Sequence, residues 1–265
     1  MSPKNDAFRK NSQTTNHIPG IYNYCDRWCE RCPFTSRCLN FEMSEEKFGD
    51  LENVDITNEV FWQKLSETFQ ETLNMLKEMA AEKGIDLDSI ELDDDDDIKR
   101  DFEDPSVVHI CSHMAKSYIT LVDEWFDSNV YIFGDDPSGL QVAAATDSAQ
   151  SPPDEDTVTL IDSVEVIRWY QYQMYVKLRR ALDSARDEAT DRDWDDYPKD
   201  SDGSAKVSLI GMDRSISAWG KIIKYFPDEE KSLLGIIAHL DRLRRRTETE
   251  FTDARAFVRP GFDCQ

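Results

Sequence analysis

Four of the chain's six cysteines fall within one short stretch, "YCDRWCERCPFTSRC", at Cys25, Cys29, Cys32 and Cys38. Three, two and five residues separate them in turn. Thiolates are strong ligands for soft and borderline metals. Four on one loop suffice to surround a single tetrahedral zinc ion or an iron–sulfur cube. The other role open to them, as small buried residues of a turn, leaves their clustering unexplained, because only Cys111 and Cys264 occur in the rest of the chain. The spacing therefore predicts a metal knuckle with Cys25, Cys29, Cys32 and Cys38 as its ligands.

Structural zinc sites usually take two C-x2-C pairs with a long spacer between them. Here a single C-x2-C, Cys29 to Cys32, lies in a compressed run of four ligands. That favours a 4Fe-4S cluster, with Zn as the other candidate. Two local likenesses point the same way. The piece "CDRWCERC" resembles the C-x3-C-x2-C of radical SAM enzymes, and "CERCPFTSRC" is similar to the C-x2-C-x5-C of iron–sulfur modules in certain DNA-processing nucleases. Both likenesses end with these residues. The chain has no β/α-barrel pattern and no acid, acid, lysine constellation, so they imply a cluster and neither activity.

The residues between the thiols suit such a site. Tyr22, Tyr24, Trp28 and Phe34 are expected to form an apolar lid, and Arg27, Arg31 and Arg37 to offset thiolate charge through hydrogen bonds. Elsewhere the candidates are weaker. A di-metal centre among helices takes inward carboxylates and Glu-x-x-His on two helices. No Glu-x-x-His occurs, and the chain has only four histidines. His109 and His113 stand one turn apart, but their face continues through Lys116, Thr120 and Glu124 and reads as solvated surface. His239 borders an apolar stripe and reads as half-buried with one hydrogen bond. Glu165 and Arg168 are expected to pair within one helix and face a neighbour. Cys111 sits on an apolar face and reads as inert, and Cys264 as an exposed tail residue. No G-x-S-x-G, phosphate loop or dinucleotide fingerprint is present, which disfavours hydrolase, kinase and dehydrogenase chemistry and leaves catalysis unassigned.

The elements that must position the cysteines read as helices. Residues 1–20 are expected to be a disordered tail, 21–45 the cysteine-rich knuckle, 57–251 the helical body and 252–265 a tail that packs back. The first helix is expected over 58–83, with Trp62, Leu65, Phe69, Leu73, Leu76 and Met79 on one stripe, Thr57 or Asn58 as cap and Gly84 as its end. A second, from Asp104 and Pro105 to about 128, carries Val107, Cys111, Met114, Tyr118, Val122 and Trp125. The third, 157–189, is the longest and central, with Leu160, Val164, Ile167, Gln171, Met174, Leu178 and Leu182. The fourth, 204–226, presents Leu209, Met212, Ile216, Trp219, Ile223 and Phe226. Its smooth side, Ser204, Ser208, Gly211 and Ser215, is suited to close packing. The fifth, 229–250, follows a stop at Pro227 and Asp228 and carries Leu233, Ile236 or Ile237, Leu240 and Leu243. Loops are expected at 86–104, 134–156 and 190–203. No alternating run requires a strand. The fold class read here is all-α, an antiparallel bundle of about five helices.

The net charge of −23 bears on partners. A field of that sign repels phosphate, so nucleic acid is disfavoured. A protein partner is expected, and a basic one suits the acidic surface. Most acids lie in "ELDDDDDIKRDFED" and "DRDWDDYPKDSD", where solvation is their first role. No segment approaches the ~18 apolar residues of a membrane helix. "MSPKNDAFRKNSQTTNH" lacks the apolar core of a secretory signal. A cytoplasmic location is thus expected, where thiols stay reduced and metal is favoured over disulfides. The expected function is a metal-stapled helical protein that acts through a partner. An iron–sulfur redox protein is the first alternative and a di-metal enzyme the second.

Overall fold

A computed structural model describes residues 16–49, 59–85, 105–129, 155–190 and 198–263. Over these residues the chain is all-helical, and no strand occurs among them. The helices are α1 (Leu39–Phe48), α2 (Glu59–Glu82), α3 (Ile110–Ser128), α4 (Glu155–Thr190), α5 (Asp200–Ile222) and α6 (Glu230–Glu250). Single turns precede three of them, Thr35–Arg37 before α1, Pro105–Val108 before α3 and Pro227–Glu229 before α6. None of the described helices is long and apolar enough to cross a membrane. Contacts divide the chain into two compact units: Met1–Asn23 with Arg27–Arg100, and Tyr24–Asp26 with Asp101–Gln265. Residues 1–15 of the tail expected over 1–20, the loop over 86–104 and Cys264 lie outside the described residues, as does most of 134–156.

In the N-terminal unit, α2 ends where its sequence says it should. Gly84 adopts φ 68°, the left-handed value that lets Ile85 N–H reach the Ala80 carbonyl at 2.8 Å and Gly84 N–H the Ala81 carbonyl at 3.1 Å. This is a Schellman stop, which a side chain at position 84 disfavours. The candidate caps Thr57 and Asn58 fall outside the described residues.

In the second unit, α3, α4, α5 and α6 each pack against two of the others. Helix α3 differs from the expected single helix starting at Asp104, because the chain breaks at His109 (ψ 142°). There the imidazole Nδ1 accepts the Cys111 N–H at 3.2 Å. The backbone of residue 109 is extended so that its side chain can serve as N-cap. Helix α5 starts at Asp200, earlier than its apolar stripe requires. Glu188 of α4 accepts both the backbone N–H and the hydroxyl of Ser201, at 3.0 and 2.6 Å, and so caps α5 from outside. That borrowed cap shortens the loop expected over 190–203.

The interior follows the stripes. Tyr118, Ile167, Met174, Leu178, Leu209, Met212, Trp219, Leu233 and Leu240 are all buried, and Trp125 meets Trp219 edge-on at 5.2 Å. Buried Trp219 donates its indole N–H to the Tyr118 hydroxyl at 3.0 Å, so both polar tips are satisfied. Gln171, placed on an apolar stripe by spacing, is buried and bonds the Asp123 carboxylate at 2.6 Å and the Ile119 carbonyl at 3.2 Å. Arg168 also reaches Asp123, at 3.0 Å, with its guanidinium 3.9 Å from the centre of the Phe126 ring. Its partner across the helices is thus Asp123, which spacing within one helix did not reveal.

Helices α4 and α5 run in opposite directions: Glu188 meets Ser201, Met174 meets Ser208, and Tyr170 meets Gly211 and Arg214. The smooth side of α5 is what brings them together. Ser204, Ser208, Gly211 and Ser215 are all buried, and a Cβ at Gly211 would stand 2.8 Å from the Tyr170 ring and 3.1 Å from Met174 Cγ. Gly211→Ala is therefore expected to cost about 1–3 kcal/mol, the usual range for an overpacked core, despite alanine's better helix propensity. Urea unfolding checks this through the midpoint, with the slope unchanged.

Candidate functional site

The cysteine-rich segment begins on α4 and α5. Tyr24, Cys25 and Asp26 belong to the helical unit, and the residues on either side of Cys25 are each held by several groups. Tyr24 lies edge-on to Phe257 with ring centres 4.7 Å apart. It fills the space over Gly203, where a Cβ would stand 2.4 Å from its ring. Its hydroxyl faces Asp200. Burial first, and that carboxylate next, push its pKa up to about 12. Asp200 in turn takes two hydrogen bonds from Arg180, at 2.6 and 3.0 Å, and one from Ser184 at 2.8 Å. Burial alone would raise the Asp200 carboxyl, but these donors hold it below its ordinary range.

Asp26 is held more fully still. Its carboxylate accepts the Tyr170 hydroxyl at 2.6 Å and Arg214 at 2.8 Å, and its backbone carbonyl accepts the Trp169 indole N–H at 2.9 Å. Arg214 also bonds the Tyr170 hydroxyl. Burial, then the bond to Asp26, raise the Tyr170 pKa well above the usual tyrosine value. Two aromatic residues of α4 and one arginine of α5 thus grip the residue after Cys25. The C-terminal tail closes the other side: Lys206 bonds the Phe257 carbonyl and pairs with Asp263 at 2.8 Å, and Arg259 pairs with Asp263 at 3.0 Å. The tail packs back as its apolar residues imply.

Cys29, Cys32 and Cys38 belong to the N-terminal unit. Arg27 takes φ 59°, a left-handed value that costs a side-chain-bearing residue roughly 1–2 kcal/mol. The chain reverses there, with Cys29 N–H on the Arg27 carbonyl at 3.0 Å. A 3-10 turn, Cys29–Arg31, follows and is closed by Cys32 N–H on the Cys29 carbonyl at 3.1 Å. At three residues per turn it sets Cys29 and Cys32 on the same side. Cys32 Sγ accepts the Phe34 N–H at 3.4 Å, the kind of bond that stabilises a thiolate. A second 3-10 turn, Thr35–Arg37, delivers Cys38 to the N-cap of α1. Ile18 N–H on the Arg37 carbonyl at 3.0 Å and His17 on Glu42 at 2.5 Å hold the preceding strand of chain beside this loop.

None of the four cysteines is in a disulfide, and each is half-buried. Among the described residues no three or more His, Cys, Asp or Glu side chains are grouped so as to hold a metal ion. Cys111 is buried, and burial raises its thiol pKa, which fits an inert residue. His239 is half-buried and bonds the Met114 carbonyl at 2.8 Å. The face of His113, Lys116, Thr120 and Glu124 is exposed, as its polarity implies. Three residues differ from expectation. Tyr24 packs on the helices of its own unit, Arg31 stacks on Trp28 at 4.0 Å, and Arg37 bonds the Asn16 carbonyl at 3.2 Å. Asp26, the best-anchored residue of the segment, went unnoticed in the sequence. Its partners lie more than 140 positions away, and an aspartate beside an arginine looks like any loop pair.

Comparison with protein-family models, with curated proteins and with solved structures finds no match. Asp26→Ala is expected to lower stability by about 1–3 kcal/mol, because it removes the acceptor of the Tyr170 hydroxyl proton and the carboxylate partner of Arg214. Arg214→Ala, at a residue 53% exposed, should cost less than about 1 kcal/mol. Urea unfolding of the two variants side by side checks the order, and an Asp26→Ala protein as stable as the parent contradicts it.

Proposed function

We propose that Cys25, Cys29, Cys32 and Cys38 together ligate a metal, that this knuckle is structural, and that the protein acts by binding a partner. The observation that carries the reading is the clustering of four of the chain's six cysteines on one short segment, none of them in a disulfide. Four protein ligands fill a tetrahedral site and leave no open position for catalysis. Two details of the loop support it. The Cys32 sulfur already takes a backbone N–H, and Cys38 stands at a helix N-cap. The bond to Cys32 favours thiolate, the form a metal needs.

A 4Fe-4S cluster is the preferred group because the ligands are compressed, and zinc is the second. The group supplies cross-linking of the loop and, as a cluster, one-electron redox chemistry. In this reading the antiparallel helical bundle is the platform, with Tyr24 and Asp26 fixing the base of the knuckle to it. The iron–sulfur redox alternative uses the same four ligands. A di-metal enzyme in the helical bundle is the second alternative. The acidic surface suits a basic protein partner.

The test is the metal content and visible spectrum of protein purified without oxygen. Iron with acid-labile sulfide, or one zinc per chain, is the expected outcome, and Cys29→Ser should lose the metal and lower the melting temperature by several degrees. Dithionite bleaching assigns redox chemistry, and a colourless zinc protein assigns a staple. Protein with neither metal overturns the proposal.

A further inference from the structure

Two successive i→i+3 bonds run through the turn Cys29–Arg31. Arg31 N–H reaches the Trp28 carbonyl and Cys32 N–H the Cys29 carbonyl, each at 3.1 Å. Side chains three apart on a 3-10 turn eclipse one another. The first such pair shows the effect, because the Arg31 guanidinium lies 4.0 Å from the centre of the Trp28 ring. The next pair is Cys29 and Cys32. Three steps of about 2.0 Å set their Cα atoms roughly 6 Å apart, inside the range that a disulfide spans. Cys38 has a different counterpart. Its N–H closes on the Thr35 carbonyl at 3.1 Å, so the residue three positions back is a threonine. Cys25 belongs to the other compact unit. The backbone thus singles out one pair among the four thiols.

We infer that Cys29 and Cys32 are an oxidisable dithiol, closed to a disulfide by hydroperoxides, and that its closure empties the metal knuckle. The second half rests on the four-ligand reading proposed above, and the first half stands without it. Both cysteines are half-buried on a turn where Arg27, Glu30, Arg31 and Pro33 are exposed, so a small oxidant has a way in. Hydrogen peroxide is uncharged, and a net charge of −23 does not repel it. One thiol attacks the O–O bond, becomes a sulfenic acid and releases water. The other then displaces the sulfenic hydroxyl as a second water and forms the S–S bond. The two thiols together give up two electrons and two protons, and the peroxide takes them up as it is reduced. The disulfide withdraws two of the four donors, and the two that remain cannot complete a tetrahedral site. Exchange with a reducing dithiol restores the pair.

Arg27, Arg31 and Arg37 place each of the four cysteines in a separate tryptic peptide, so the pairing can be read directly. The reduced full chain is given zinc, cleared of excess metal and treated with hydrogen peroxide. The remaining thiols are then alkylated, and the digest is mapped by mass spectrometry. The expected product is the peptide Trp28–Arg31 joined to Cys32–Arg37 and lighter by two hydrogens. Dithiothreitol should remove the link, Cys32→Ser should abolish it, and Cys38→Ser should leave it in place. Bound zinc should pass to a chromogenic chelator in step with the link and bind again after reduction. A dominant link through Cys25 or Cys38 overturns the inference, as does sulfinic acid at Cys29 and Cys32 with no link between them. A link that forms while zinc is retained overturns the coupling to the knuckle. A chain that binds no zinc even when reduced counts against the four-ligand reading, and the peptide map still decides the pair.

Discussion

A missing side chain at position 211 sets the geometry on which the cysteine segment depends. Because Gly211 carries no Cβ, the Tyr170 ring lies against the backbone of α5. From there its hydroxyl reaches the Asp26 carboxylate at 2.6 Å. Asp26 is the neighbour of Cys25, so a packing choice between two helices fixes the backbone at the first thiol. Ser204, Ser208 and Ser215 extend the same smooth row, and Gly203 repeats the device at its end, making room for the Tyr24 ring. Close helix packing and loop anchoring are one feature seen at two scales. The energy comes from buried rings and satisfied hydrogen bonds, while the two glycines decide where the rings can go.

The anchoring differs on the two sides of Arg27. Tyr24 and Asp26 are held by side chains of α4 and α5 and by the tail. The segment after Arg27 takes its local shape from two 3-10 turns, with the backbone of Ile18 and Asn16 bonded to Arg37 beside them. A backbone in the left-handed region is tolerated at Arg27, since the clamp before it and the turn after it leave the chain little choice.

Helix existence and the buried stripes of α3 to α6 were legible in the sequence from apolar residues at steps of three and four, whereas the same spacing on α2 leaves Trp62, Phe69, Leu73, Leu76 and Met79 45–62% exposed. Tyr118, Val122, Trp125, Leu209, Met212 and Trp219 are buried as their spacing requires. The role of the small row was legible for the same reason. The boundaries were less so. The break at His109 depends on its imidazole capping Cys111, and the early start of α5 depends on Glu188, a residue of another helix. The ligand candidates announce themselves by local spacing. The anchors do not, because Asp26 and Tyr170 are 144 positions apart and neither carries a local signature. Long-range polar pairs of this kind are written in the fold alone.

The central claim is that the four thiols are a ligand set. X-ray absorption at the metal edge, on protein purified without oxygen, tests it most directly, because it counts the atoms bound to the metal and identifies them. A first shell of four sulfurs per metal at about 2.3 Å, with iron neighbours if the group is a cluster, is the result the account predicts. A shell of nitrogen and oxygen, or one unchanged when Cys29 and Cys32 are both replaced by serine, would contradict it.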